Sequence, residues 1–174
     1  HLGRSGEGPV PLGVLVGDVG GGTWPAVAGV LAALLHRGRT GEGQHVDIAM
    51  ADGALLMNAM AATEALAVDT DHAAEGGWLN GGSFYDYYRT ADGRHLAIGA
   101  LEPKFWSQML AVLGLSAREA DYLADGEAGV AVKTAIAAAV VAETLDHWRG
   151  RFAAVDCCVE PVSTPREAVA DPLF

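Results

Sequence analysis

Lysine is nearly absent from this 174-residue chain: Lys104 and Lys133 are the only two among eleven basic side chains. Twenty-two acidic side chains outweigh the basic ones and leave a net charge of −11. Binding a phosphate backbone relies on clustered Lys and Arg, so this balance argues against a nucleic-acid role. Cysteine is equally scarce. Cys157 and Cys158 are adjacent, a spacing that suits neither a disulfide framework nor a metal site. They read as small, buried residues of a reducing compartment. His36, His45, His72, His95 and His147 show no pairing with acids or cysteines at ligand spacing, so no metal is assigned. No uninterrupted apolar run reaches the roughly 20 residues that span a bilayer, and no signal peptide opens the chain. The expectation is a cytoplasmic protein with no membrane or nucleic-acid partner.

What is present is a globular composition, 51% apolar and 19% charged, long enough for one domain or two small modules. The Gly/Pro-rich opening "HLGRSGEGPVPLG" and the ending "ADPLF" read as an internal piece of a larger protein. Val14–Val16 reads as a short strand. Thr23 followed by Pro25 is a helix start, with Thr23 as N-cap and Val27, Val30, Leu31, Leu34 and Leu35 at helical spacing. "RGRTGEGQ" turns the chain, "HVDIAM" alternates as a strand does, and a helix is predicted from about Asp52 to Ala67 with Asp52 as its cap. This strand–helix order predicts part of an α/β layer.

The polar, glycine-rich stretch from Asp69 marks a boundary, dividing the chain into 1–75 and 76–174. Beyond it, "SFYDYYRT-ADG-RHLAIGA" reads as a β-hairpin with an Asp-Gly turn. Pro103 opens a helix carrying Phe105, Trp106, Met109, Leu110 and Leu113, stopped by Gly114. A second helix is predicted over Ala128–Phe152, and "CVEPV" as a closing strand. The fold class is therefore α/β: a partial large α/β domain followed by a smaller α+β domain with a β-hairpin and helices.

Two acids have positions suited to chemistry. Asp18 in "VGDVGGGTWP" is first a turn carboxylate. In a sharper reading, Gly20, Gly21 and Gly22 admit a ligand close to the backbone, and their N–H groups with the following helix start face an anion. The spacing is not that of a dinucleotide or P-loop fingerprint. Glu102 is first a helix cap, but it also lies where the apolar strand "LAIGAL" emerges. The tyrosines of "FYDYY" are hairpin packing first, with Tyr85 able to offer a hydroxyl to a site.

With these pieces in order, the chain resembles the class III CoA-transferase family, most closely its α-methylacyl-CoA racemase branch. The phrases carrying the resemblance are "GDVGGG", "RTGEGQHVDIAMADG", "NGGSFYDYYRTADGRHLAIGALEPKFW" and "CCVEPV". The resemblance implies that Asp18 is the family's central aspartate. In the racemase branch it is one of two bases flanking the α-carbon of a 2-methylacyl-CoA, and in the transferase branch it is an acyl-accepting nucleophile. It further implies that Glu102 supports an opposing histidine base, that acyl-CoA is the substrate, that no metal or redox cofactor is needed, and that family members form interlocked dimers. That histidine lies upstream of the aspartate in a Gly-His-Asp phrase this sequence lacks, and His1 is not a match for it. These 174 residues alone are accordingly expected to be inactive, a catalytically silent split or assembly module being the alternative.

Overall fold

A computed structural model describes residues 3–69 and 73–174. His1 and His72, both considered above, lie outside the described residues. The chain forms two compact units, His1–Ala74 and Glu75–Phe174.

The first unit is built from helices. A π-helical turn, Val16–Thr23, runs directly into α1 (Trp24–Thr40), followed by α2 (Met50–Met57) and α3 (Ala59–Val68). The strand predicted at Val14–Val16 does not form, because Val16 already belongs to the π turn. Nor does the one in "HVDIAM", where residues 45–49 are irregular and Met50 opens α2. An extended segment becomes a strand only when a partner takes up its N–H and C=O groups, and the described residues of this unit offer none. The alternation still has a use. A methyl group built on Gly29 of α1 would lie 2.8 Å from Val46 and 3.5 Å from Ile48, so both side chains reach the same bare stretch of helix.

Thr23 is not an N-cap: its backbone is helical, and its hydroxyl donates to the Asp18 carbonyl at 3.0 Å. Gly41, at φ +82°, ends α1 in the left-handed conformation that glycine allows. The single helix predicted over Asp52–Ala67 is two, divided at Asn58, whose N–H is shared between the carbonyls of Ala54 and Leu55. Asp52 lies in the first turn of α2 rather than at its cap.

The helical run Val16–Thr40 has 25 residues and contains an 18-residue stretch of mean hydropathy 1.3, enough by length and composition to cross a membrane. A count of uninterrupted apolar residues misses it because glycine, threonine and proline interrupt the run without making it polar. Val30, Leu31, Leu34 and Leu35 are exposed along α1 in this unit.

The glycines of the π turn are packing devices. A methyl group on Gly53 of α2 would sit 2.2 Å from the Gly21 carbonyl oxygen and 2.5 Å from its Cα, so the two backbones touch directly. Gly20 and Gly22 leave room for the side chains of Met57 and Met50.

The second unit carries the sheet. Strands β1 (Asp86–Arg89), β2 (His95–Ile98) and β3 (Val159–Pro161) pair antiparallel in that order, with Tyr88 opposite Leu96 and Ile98 opposite Val159. The hairpin and closing strand are as predicted, and Gly93 takes φ +78° in the turn. Tyr88, Leu96, Ile98 and Val159 point inward under α4 (Pro103–Leu113), α5 (Gly126–Val140) and α6 (Leu145–Phe152). Trp106, Met109 and Leu110 of α4, Ile136 and Val140 of α5, and Leu145 and Trp148 of α6 complete the core. The helix predicted over Ala128–Phe152 is bent by 104° between α5 and α6. Thr144 caps the new helix by accepting the His147 N–H, and the Trp148 indole donates to the Val140 carbonyl at 2.8 Å. The mixed α/β class stands, with the strands in the second unit.

The hairpin tip ties these parts together. Asp92 accepts the Thr90 hydroxyl at 2.5 Å and the Leu145 N–H at 3.3 Å, and the Thr90 bond first holds its carboxyl below the usual range. Arg94 grips Glu167 of α7 (Pro165–Ala170) through both carboxylate oxygens, at 2.7 and 3.2 Å. The Arg94 hydrogen bond, with the Thr164 N–H, lowers the Glu167 carboxyl from 4.5 to about 2.

Two outcomes follow. Ala at position 53 forces backbone against backbone and is expected to cost about 1–3 kcal/mol in denaturant unfolding of the whole protein, as overpacking does. Ala at position 17, where nothing lies within 4 Å, is expected to change it little. Because the Glu167 carboxyl is lowered on folding, its stabilisation is complete above 4.5 and is lost as pH falls toward about 2. Thermal melts across that window should show a smaller acid-induced drop in Glu167→Gln than in the wild type.

Candidate functional site

Asp18 lies in the first turn of the helical run, not ahead of it. The positive end of the helix dipole is therefore at Asp18 itself. In a π turn the N–H groups bond carbonyls five residues back, so the glycine N–H groups are directed into the helix. The Trp24 N–H, for example, reaches the Val19 carbonyl. The Asp18 side chain is exposed. Gly21 is buried in the contact with α2, and Gly20 and Gly22 flank it.

In the second unit, β2 continues through Gly99, whose N–H donates to the Cys158 carbonyl at 2.8 Å. Gly99 lies close to its neighbours: a methyl group there would stand 3.2 Å from the Tyr85 ring and 3.5 Å from the Cys158 carbonyl oxygen. Glu102 follows as the residue just before α4, in extended conformation, with its carbonyl accepting the Phe105 and Trp106 N–H groups at 2.9 Å each. Its side chain makes no capping bond and is exposed, so the carboxylate is not used as the cap it resembles in the sequence.

A cavity of about 430 Å³ opens on the outer side of the sheet, lined by Leu79, Tyr85, Tyr87, Ala97, Gly99 and Cys158, among others. Of the three tyrosines of "FYDYY", Tyr88 packs in the core and donates to the Phe84 carbonyl at 2.7 Å. Burial first, and then the nearby Asp86 charge, push its hydroxyl well above the usual range. Tyr85 instead faces the cavity.

The cysteines divide. Cys157 is buried and Cys158 exposed, which corrects the expectation that both are buried. Cys158 also has φ +54°, uncommon for a residue with a side chain. Burial raises the Cys157 thiol to about 11. At Cys158, partial desolvation of the sulfur raises the thiol first, and the charges of Glu102 and Asp156 raise it further while Lys104 opposes them. Glu102 and Cys158 are thus in electrostatic reach of each other. Among the described residues no three His, Cys, Asp or Glu side chains converge as metal ligands do.

The profile of one family, CoA-transferase family III, matches residues 1–174. The chain belongs to this family. Within it, the chain is 34% identical to the mouse α-methylacyl-CoA racemase over 169 residues and 36% identical to the human one over 170. Each match covers 97% of this chain and 44% of the relative, so the chain spans somewhat under half their length. A succinyl-CoA–D-citramalate CoA-transferase of Chloroflexus aurantiacus is 30% identical, over 95% of this chain and 42% of its own length. Among solved structures, a CaiB/BaiF family protein from Brucella suis superposes with a TM-score of 0.67 at 25% identity, covering 99% of this chain and 46% of that one. The Mycobacterium tuberculosis protein Rv3272 shares the fold at a TM-score of 0.75, with 24% identity and 99% and 46% coverage. CoA-transferase family III therefore contains both racemases and CoA-transferases among this chain's relatives.

The proximity of Glu102 to Cys158 predicts a titration. Alkylation of Cys158 by iodoacetamide, followed by mass spectrometry across pH, should shift to lower pH in Glu102→Gln, because removing the negative charge favours thiolate. An unchanged profile would contradict the proximity. Cys157 should stay unmodified until the fold opens.

Proposed function

We propose that these residues belong to an enzyme catalysing 1,1-proton transfer at the α-carbon of 2-methylacyl-CoA thioesters, in fatty acid metabolism. The observation carrying this reading is the 34–36% identity to two α-methylacyl-CoA racemases across 97% of the chain. Asp18 is one base. Removing an α-proton needs a carboxylate within reach of the substrate, and the Asp18 side chain is exposed at the first turn of the helical run. Gly20, Gly21 and Gly22 serve by seating the π turn on α2, which places Asp18. Glu102, its carboxylate free of capping duty, orients an opposing histidine, and Tyr85 stands on the substrate side. The histidine belongs to a part of the enzyme other than these residues, which are inactive on their own. Proton transfer between two bases next to a thioester requires no metal or redox cofactor when donors stabilise the enolate oxygen.

The exposed apolar face of α1 fits a protein partner, either the remaining family segments or a second copy in a dimer. Neither membrane nor nucleic acid enters this reading, and the compartment proposed is the cytoplasm. The 30% identity to a CoA-transferase supports a second reading, in which the Asp18 carboxylate attacks the thioester carbonyl, expels the CoA thiolate and forms an acyl-enzyme.

The test uses the whole protein and a single epimer of a 2-methylacyl-CoA in deuterium oxide. Deuterium at the α-carbon with loss of chirality, reduced about 100-fold or more in Asp18→Asn, is the expected outcome. CoA transfer to an added carboxylic acid, with a trappable acyl group on Asp18, would establish the second reading instead. Neither activity would leave a silent assembly module.

A further inference from the structure

Lys133 projects from α5 toward the start of β1, where its ammonium donates to the Gly81 carbonyl and to the Asp86 carboxylate, the latter at 3.0 Å. The pair is mostly covered, with 29% of the Lys133 and 14% of the Asp86 side chain exposed. A chain with only two lysines places one of them here. The segment held this way is otherwise glycine-rich, "EGGWLNGG". Within it, the Gly77 N–H reaches the Asn80 side-chain oxygen at 2.7 Å, and the Ser83 hydroxyl donates to the Trp78 carbonyl at 2.7 Å. Gly81 adopts φ +98°, and a methyl group on it would stand 3.3 Å from the Asp86 oxygen, so the lysine, the loop and the strand meet tightly.

Leu79, Gly81, Tyr85 and Asp86 all line the cavity described above, so the wall facing Gly99 and Cys158 is set by where this loop is held. We propose that Lys133 is a positioning residue: by clamping the Gly81 carbonyl and Asp86 to α5 it fixes the loop wall and Tyr85, and so shapes the cavity for part of the thioester substrate. This deepens the functional reading above and rests on it. Lys133 touches no reacting atom. Its loss is therefore expected to weaken substrate binding more than the chemical step.

The experiment compares wild type, Lys133→Met and Lys133→Arg in the whole enzyme, with Asp86→Asn as a milder cut should the methionine variant fail to fold. The thioester is the racemase substrate named above, and hydrogen exchange of residues 76–86 is followed in parallel. Lys133→Met is expected to raise KM about 10-fold with kcat within about 3-fold, and Lys133→Arg to restore most of the binding. Exchange in the loop should quicken in Lys133→Met and Asp86→Asn and stay near wild type in Lys133→Arg. Unchanged KM, or kcat falling as far as kcat/KM, would overturn the positioning role while leaving the racemase reading intact. A wild-type enzyme that neither epimerises nor transfers would sink the functional reading. In that case exchange decides the clamp, and an unchanged loop in Lys133→Met would overturn it.

Discussion

In the second unit, the enclosure of Trp106 governs where the candidate residues stand. Its ring lies 4.7 Å from that of Phe84 and 6.1 Å from that of Tyr122, and its indole N–H donates to the Glu119 carbonyl. Burying so large an aromatic surface seats α4 on the sheet, and with it Glu102, four residues upstream. The same contact draws Phe84 inward. Tyr85, the next residue, lines the cavity. One buried indole thus seats the acid at the head of α4 and packs on the residue that precedes the tyrosine of the loop wall.

The first unit rests on a different constraint, the direct contact of Gly21 with Gly53. Two backbones meet there without side chains between them, so the π turn and α2 are held at a distance no other residue pair permits. That contact reverses the simplest view of a glycine run after an aspartate. The glycines face a helix rather than open space, and the carboxylate stands exposed in the first turn of the helical run.

The hairpin, the helix opened by Pro103, the closing strand and the family were all legible in the sequence. Their signals are local: an Asp-Gly turn, a proline at the first helical position, aromatic alternation and short ordered phrases. The failures share a cause. Val14–Val16 and "HVDIAM" have strand-like patterns, but pairing requires a neighbour that no single segment can specify. The break at Asn58 and the 104° bend after Val140 came from bonds to nearby carbonyls and from Trp148 reaching back to Val140, which periodicity does not register. Of the candidate site residues, Asp18 and Glu102 were legible only as acids at element ends. The clamp at Lys133 was not, because its partners lie 52 and 47 residues away.

By itself, the sequence determined the family, the order of most elements, the acidic balance and the two carboxylates worth weighing. Each of these is written in residue type and short-range spacing. Only the tertiary structure decided what the glycines touch, which of two adjacent cysteines meets solvent, that Glu102 leaves its helix uncapped by its side chain, and which lysine holds the cavity wall. Those are matters of approach between distant segments, where a clearance of a few ångströms and the loss of water around a charge determine the outcome.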